Sequence, residues 1–543
     1  MALDMFHYVY GIDTSCFYTN EETRIARKLT RLRELKDRVK KRSEKCSDSW
    51  KDWYKNLSHD INKTLKETKE YLTDKMNNQT EPRNLRVQSL SEMRKVSIFS
   101  SELTRCFGLV EDDINESVMI IKVFYFPVCE QIIRDGFYYR GKKYVYFSSS
   151  AGQIRTKKMV CVNEEFLKKH WNTLTCGLTV EKINELGGMN INKYLAYLAL
   201  CNSATDVWEN FDIDRCIVVD DFETLVDADV DYINDITYEI KRQRMGCSIP
   251  HTDGCGIISP ELFDRNSMFR LPWFKGLLGV CDFKRFVSEH GCSPVVKDIY
   301  GKEYDIFKDN IQIIFTKSQF KMNKFFSSWD EYKDNFKKYG CHACLCNTEE
   351  DEFNNATINY QMIQSLVDCT KEELVKMTQK SADDIRKIAK DKNTMLKALG
   401  VTKGNYNKNG YQKCLELYPE LLGEAYSRTI LREMKNSMEK DMWSAKFEVN
   451  GKYTFILPDL YAFCEWLFLK EENPKGLLAD GEVYCSLYKT DNDVCCLRSP
   501  HLYQEWAIRK NVENDKAREW FVTKALYVSV HDVISRILQF DRP

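Results

Sequence analysis

Residues 251–260 read His-Thr-Asp-Gly-Cys-Gly-Ile-Ile-Ser-Pro, with Asp253 directly ahead of Gly254 and Gly256 one residue further on. Two glycines so spaced mark a tight backbone path that presents N–H groups and one carboxylate at a surface. Fourteen residues beyond Gly256, residues 270–279 (RLPWFKGLLG) place Lys275 before Gly276 inside a β-like run. A lysine before a glycine can project its charge where the backbone approaches a ligand closely, although an ordinary exposed lysine gives the same pattern. Residues 316–325 (TKSQFKMNKF) then interleave Lys317, Lys321 and Lys324 with Phe320 and Phe325. That suits a phosphate-lined, base-stacking groove and equally an amphipathic surface strand. Upstream, CIVVD at 216–220 reads as a compact buried strand.

Around this stretch lies a chain of 543 residues, 43% hydrophobic and 13% aromatic, with only 11 Pro and 23 Gly. Such a chain has room for two to four domains with sizeable cores and excludes a small disulfide-stapled module. The 80 Lys plus Arg balance 81 Asp plus Glu, so any phosphate-binding surface must be a local patch. No basic, apolar leader opens the sequence, and no window of about 18 apolar residues occurs. The reading is a cytoplasmic protein with no membrane partner, its 21 cysteines reduced.

Residues 21–45 carry Ile25, Leu29, Leu32, Leu35 and Val39 at helical spacing on a basic background, eleven cations against five acids. A second stripe from Trp50 to Met76 predicts an antiparallel helical hairpin, its basic face either solvated or turned to nucleic acid. Residues 77–84 (NNQTEPRN) read as a linker. Short β-rich runs follow, and residues 358–443 are helical, with capping-box starts at Thr370-x-x-Glu373 and Ser381-x-x-Asp384. Asn450-Gly451 predicts a type I′ hairpin turn.

Walker A, GxGxxG, HExxH and GxSxG signatures are missing. Cys341-His342-x-Cys344-x-Cys346 lacks a second ligand pair, so no zinc is expected and a packed Cys-rich loop is the reading. Asp227, Asp229 and Asp231 alternate as metal-binding carboxylates can, but helical spacing after them favours a solvated loop at a helix N-terminus.

Taken in order, the motifs resemble the two-barrel RNA polymerases related to the RNA-silencing RNA-dependent RNA polymerases of eukaryotes, and look closest to the single-chain enzymes of bacteriophages and prophages. Residues 148–155 (SSSAGQIR) are similar to the Ser-Ser-x-Gln-Leu-Arg segment ahead of the first double-psi β-barrel. DGCGIIS is similar to Asp-Gly-x-Gly-x-Ile-Ser, RLPWFKG to Arg-x-x-x-x-Lys-Gly, and SQFKMNKF to Pro-Ser-Met-x-Lys-Phe, from which Gln319 and Phe320 depart. Arg498-Ser499-Pro500 resembles the start of a second-barrel stretch whose Pro-Gly-Asp is missing here. The resemblance covers about residues 145–541.

It implies an α+β fold: a strand and basic helical hairpin at 1–84, a mixed channel-wall domain at 85–204, a first double-psi β-barrel region at 205–357, a helical insert at 358–445, and an incomplete second double-psi β-barrel at 446–543. It further implies two-metal nucleotidyl transfer with Mg²⁺ on a nucleic-acid template, consuming nucleoside triphosphates. Lys275 and Lys321 would neutralise phosphate charge. Arg155, Asp253, Gly254, Gly256, Lys317, Lys324 and Arg498 would shape the nucleic-acid and nucleotide channel. Asp541 stands at the first position of the family's metal-binding Asp-x-Asp-Gly-Asp, and the rest of that motif does not occur. One carboxylate cannot hold two ions against their hydration. The expectation is the N-terminal portion of a template-directed RNA polymerase, inactive alone unless a second polypeptide completes its second barrel. The alternatives are a non-catalytic nucleic-acid-binding or assembly protein derived from a polymerase body, and a phage structural protein.

Overall fold

The computed structural model describes residues 6–86, 94–110, 113–364, 366–388, 390–403, 405, 408–489, 492–498, 506–512 and 514–532. The chain divides into two compact units, one of Met5–Asp206 with Asp334–His342, the other of Val207–Lys333 with Ala343–Pro543. Helices and mixed sheets share both, an α+β fold.

In the first unit a seven-stranded sheet is ordered Arg83–Asn84, Phe137–Tyr139, Lys142–Ser148, Lys158–Asn163, Ile114–Lys122, Phe6–Asp13, Arg94–Phe99. The predicted hairpin is present as helices Asn20–Ser43 and Asp48–Asn77. The first starts with a capping box, in which Thr19 and Glu22 satisfy each other's backbone N–H groups. Its Leu29, with Leu72 and Met76 of the second helix, packs into the sheet's core beside Ile121 and Phe137. The segment read as a linker is fixed. Arg83 is buried, and its guanidinium donates to both carboxylate oxygens of Glu22 at 2.9 and 3.1 Å, to Gln131 Oε1 at 2.5 Å and to the Phe17 carbonyl at 3.0 Å.

The second unit holds a seven-stranded mixed sheet, ordered Asp206–Val207, Cys344–Thr348, Ser267–Leu271, Phe274–Val280, Cys255–Ile258, Ile313–Thr316, Cys216–Val219. Cys255–Ile258 runs parallel to Phe274–Val280, and Cys216–Val219 runs parallel to Ile313–Thr316. The sheet is open, with Asp206–Val207 and Cys216–Val219 at opposite ends of the order. Its strands read as near-continuous apolar runs because both faces are covered, and Val218, Ile257, Phe274, Ile314 and Phe315 are all at most 0% exposed. The predicted helical insert packs Lys371–Lys387, Lys392–Ala398, Gly410–Leu417 and Ala425–Trp443 around Ile388, Leu399, Leu415 and Leu431. A five-stranded open sheet follows, in the order Ile456–Pro458, Leu526–Val528, Glu482–Tyr484, Trp506–Asn511, Asn492–Leu497. Among the described residues no helix is long and apolar enough to cross a membrane.

Three local readings are corrected. Asp227, Asp229 and Asp231 lie on no loop or helix start: Glu223–Ile233 is a strand, paired residue for residue with Ile240–Pro250. Cross-strand pairing with Arg244 and Arg242 gives the exposed Asp229 and Asp231 cationic partners, and the helical spacing was incidental. Asn450-Gly451 makes no hairpin turn. Strand Phe447–Lys452 runs through it, and the register against Asn355–Ile358 shifts there, so the pair sits in a bulge. Ser381 begins no helix. It lies inside Lys371–Lys387, buried, its hydroxyl accepting from the Glu448 N–H at 2.9 Å, while Thr370 makes the predicted capping box.

Candidate functional site

Three segments that look unrelated in sequence meet in the second unit. A β-bridge joins Phe274 to Phe320, and the Lys321 N–H donates to the Trp273 carbonyl at 3.0 Å. Lys275 and Lys321, each partly buried, flank the bridge on opposite sides, because in an antiparallel pair Lys275 faces Gln319 and Lys321 faces Trp273. The bridge is held from below by aromatic packing. Phe274 stacks on Phe320 with ring centres 4.3 Å apart, and Phe315, Trp329 and Tyr332 close around them. Tyr332 OH donates to the Pro272 carbonyl at 2.8 Å, and Trp329 Nε1 to the Cys216 carbonyl at 2.8 Å.

The Asp-Gly-x-Gly turn is fastened to the same place by Gln319. Its buried amide donates to the Gly254 carbonyl at 3.1 Å and the Leu277 carbonyl at 2.8 Å, while its oxygen accepts from the Thr316 N–H at 3.1 Å. Gly254 turns the chain at φ +68°. Gly256 and Gly276 are required for space: a Cβ on the first would lie 2.6 Å from the Ile314 carbonyl, and one on the second 2.7 Å from the Gly254 carbonyl and against the Gln319 amide.

Asp221 anchors the other side of the turn. Its carboxylate accepts from the Ser318 N–H at 2.9 Å and the Ser318 hydroxyl at 2.6 Å, while Ser318 Oγ also accepts from the Gly254 N–H at 2.7 Å. Burial pushes the Asp221 carboxyl above its usual range, the neighbouring charge of Asp253 adds to this, and the Ser318 hydrogen bonds oppose it. Lys317 is exposed and pairs with Asp220 at 3.0 Å. Lys324 is exposed on the short Asn323–Phe325 turn. Asp253, Gly254, Gly256, Lys275, Lys317, Lys321 and Lys324 therefore all lie in the second unit. Gln319, Asp221 and Ser318, which hold the turn in place, were missed by sequence reasoning: Asp221 follows the CIVVD run without a spacing signal, and Gln319 stands out only as a departure from the family pattern.

Other expected residues lie elsewhere. Arg155 belongs to the first unit, exposed at the end of helix Ala151–Arg155, whose capping box uses Ser150 and Gln153. Arg498 follows strand Asn492–Leu497, half-buried. Asp541 and residues 499–505 lie outside the described residues. In the Cys-rich stretch, His342 Nδ1 lies 2.8 Å from Glu102 Oε1, and Cys344 sits in a strand opposite Arg270. Among the described residues no group of three or more His, Cys, Asp or Glu side chains could hold a metal ion.

The chain belongs to the RNA-dependent RNA polymerase family, whose model matches residues 78–512. It is also 46% identical over 535 residues, 98% of its length, to the "DNA-directed RNA polymerase YonO" of Bacillus phage SPbeta. The chain spans 62% of the length of that relative.

Proposed function

We propose that this chain forms the nucleotide- and template-handling body of a template-directed RNA polymerase. The observation that carries the reading is the Gln319 clip, which ties the Asp-Gly-x-Gly turn to the strand that carries Lys275 and to the segment that carries Lys321. Two fixed cations suit the triphosphate of an incoming nucleotide, where neutralising charge lowers the barrier to phosphoryl transfer. The sheet carrying them is read as the first double-psi β-barrel region, supported by the order of its motifs and by its two parallel strand pairs. The five-part division of the chain made from sequence is kept as part of this reading. The phage relative, a DNA-directed RNA polymerase by name, favours a DNA template.

The proposed chemistry uses divalent metal, Mg²⁺ on this reading. The described residues do not fit such a site: Asp227, Asp229 and Asp231 are exposed and two of them oppose arginines, so no step is derived through a metal here. The chain's own groups bind and orient. Lys275 and Lys321 hold phosphate oxygens, Gln319 fixes the turn, and Arg155, Lys317, Lys324 and Arg498 contact nucleic acid or nucleotide. On this reading Asp541 is the first member of the family's Asp-x-Asp-Gly-Asp, and RNA synthesis requires the carboxylates of that whole motif.

The test is nucleotide binding and RNA extension on a primed DNA template. The isolated chain binds ATP without extending the primer, and Lys275→Ala with Lys321→Ala weakens ATP binding at least tenfold. Unchanged ATP binding in that double variant overturns the lysine assignment. Mg²⁺-dependent extension by the isolated chain overturns the requirement for the whole motif.

A further inference from the structure

The helical hairpin lies before the residues that the family model matches, and the site of the second unit gives it no role. Its helices, 24 and 30 residues long, extend about 36 and 45 Å at 1.5 Å per residue. The half nearest the sheet packs into its core through Ile25, Leu29, Leu65, Leu72 and Met76, while the far half packs helix on helix and buries Val39 and Ile61. The half beyond Leu65 stands out by roughly 25 Å. A solvated arm of this length would be expected to carry mixed, paired charge. Residues 21–45 instead carry eleven cations against five acids, and among the described residues none of the eleven is in an ion pair with a carboxylate.

At the far end two features coincide. Between the helices is a cavity of about 660 Å³ lined by Lys36, Lys40, Lys51, Lys55 and His59. Of its cations Lys51 has a carboxylate partner, Asp48 at 2.5 Å, and the lining acid is Glu44. On the first turns of the second helix, Trp50 and Trp53 are 57% and 52% exposed, edge to face with ring centres 6.0 Å apart, and Tyr54 packs on Trp53 at 5.0 Å. Large exposed aromatics at the tip of an arm cost hydration unless something covers them. Cations along a backbone path combined with exposed aromatic faces form the platform used for unpaired nucleic acid, phosphates on the cations and bases on the rings. A duplex keeps its bases stacked inside and would leave the indoles unused.

We propose that the tip of the hairpin binds single-stranded nucleic acid, with Lys36, Lys40 and Lys55 on phosphates and Trp50 and Trp53 on bases. This goes beyond the lysine site of the second unit and fails or stands separately from it. Fluorescence anisotropy of a fluorescein-labelled 20-nucleotide oligo(dT), with the full chain in a background that changes Arg155, Lys275, Lys317, Lys321, Lys324 and Arg498 to Ala, isolates the arm. W50A/W53A is expected to raise Kd at least tenfold. Changing Lys36, Lys40 and Lys55 to Gln is expected to lower the slope of log Kd against log salt by about two, as loss of three single-strand phosphate contacts requires. These side chains are exposed or line the open cavity, and circular dichroism checks that helicity is kept. A Kd within twofold of the parent in W50A/W53A, or an equal loss for a 20-base-pair duplex, overturns the proposal. An ATP affinity unaffected by K275A/K321A would overturn the lysine site and leave the arm untouched.

Discussion

Gln319 and Gly276 fit each other so closely that each can be tested through the other. In Gly276→Ala the new methyl meets the Gln319 amide and the Gly254 carbonyl, and overpacking of this kind costs about 1–3 kcal/mol. Chemical denaturation should show that loss together with weakened ATP binding, because the turn and the lysine strand are pushed apart. Gln319→Ala leaves two carbonyls and an N–H in the core without their partner and should cost about 3 kcal/mol by the same measurement. At this scale the sequence was legible where backbone geometry demands a residue type, as at Gly254, Gly256 and Gly276. It was illegible where a side chain serves a distant segment. Gln319 and Phe320 looked like weaknesses of the family match, yet one clips three segments and the other fills the aromatic cluster beneath Lys275.

Elements were read well when their periodicity was set within the element itself. The two basic and amphipathic helices, the insert and the CIVVD strand follow from local spacing and caps. Errors fell where tertiary pairing decides. Asn450-Gly451 has the composition of a turn but is held in a strand by Asn355–Ile358, and the Asp227 to Asp231 run is held by the strand opposite it. The Arg83–Glu22 pair shows the same principle in an element that looked like a tether. Both side chains are almost wholly buried, at 1% and 3% exposure, so removing one strands the other's charge. Arg83→Met should therefore destabilise the first unit by about 3–5 kcal/mol, read as a shift in its thermal unfolding, whereas Arg83→Met with Glu22→Leu should recover much of that loss.

Across the molecule, acid–base behaviour offers a test that does not depend on function. The hydrogen bond to Glu102 raises the pKa of His342 above its ordinary value, against the opposing effect of burial. A group that binds its proton more tightly when folded stabilises fully below its unfolded pKa of about 6.5, and that contribution fades as pH rises through the folded value. Melting temperature should therefore decline from pH 6 towards pH 8, and His342→Gln should flatten that part of the profile. The fold class and family were legible because several weak motifs occur in one order. The site residues were only partly so, since Arg155 and Arg498 belong to the same motif series as Lys275 but share no local geometry with it that a sequence displays.

The Gln319 clip also bears on how the chain reaches its native state. Its amide joins residues 65 and 42 positions away, and Asp221 reaches Ser318 across 97. Closing loops of such length costs entropy before any contact repays it, so these bonds form only after the strands between them have paired. The lysine cradle is thus set late and opens early, and native-state hydrogen exchange should find the Gly254, Thr316 and Ser318 amides released ahead of those in the strands that carry them.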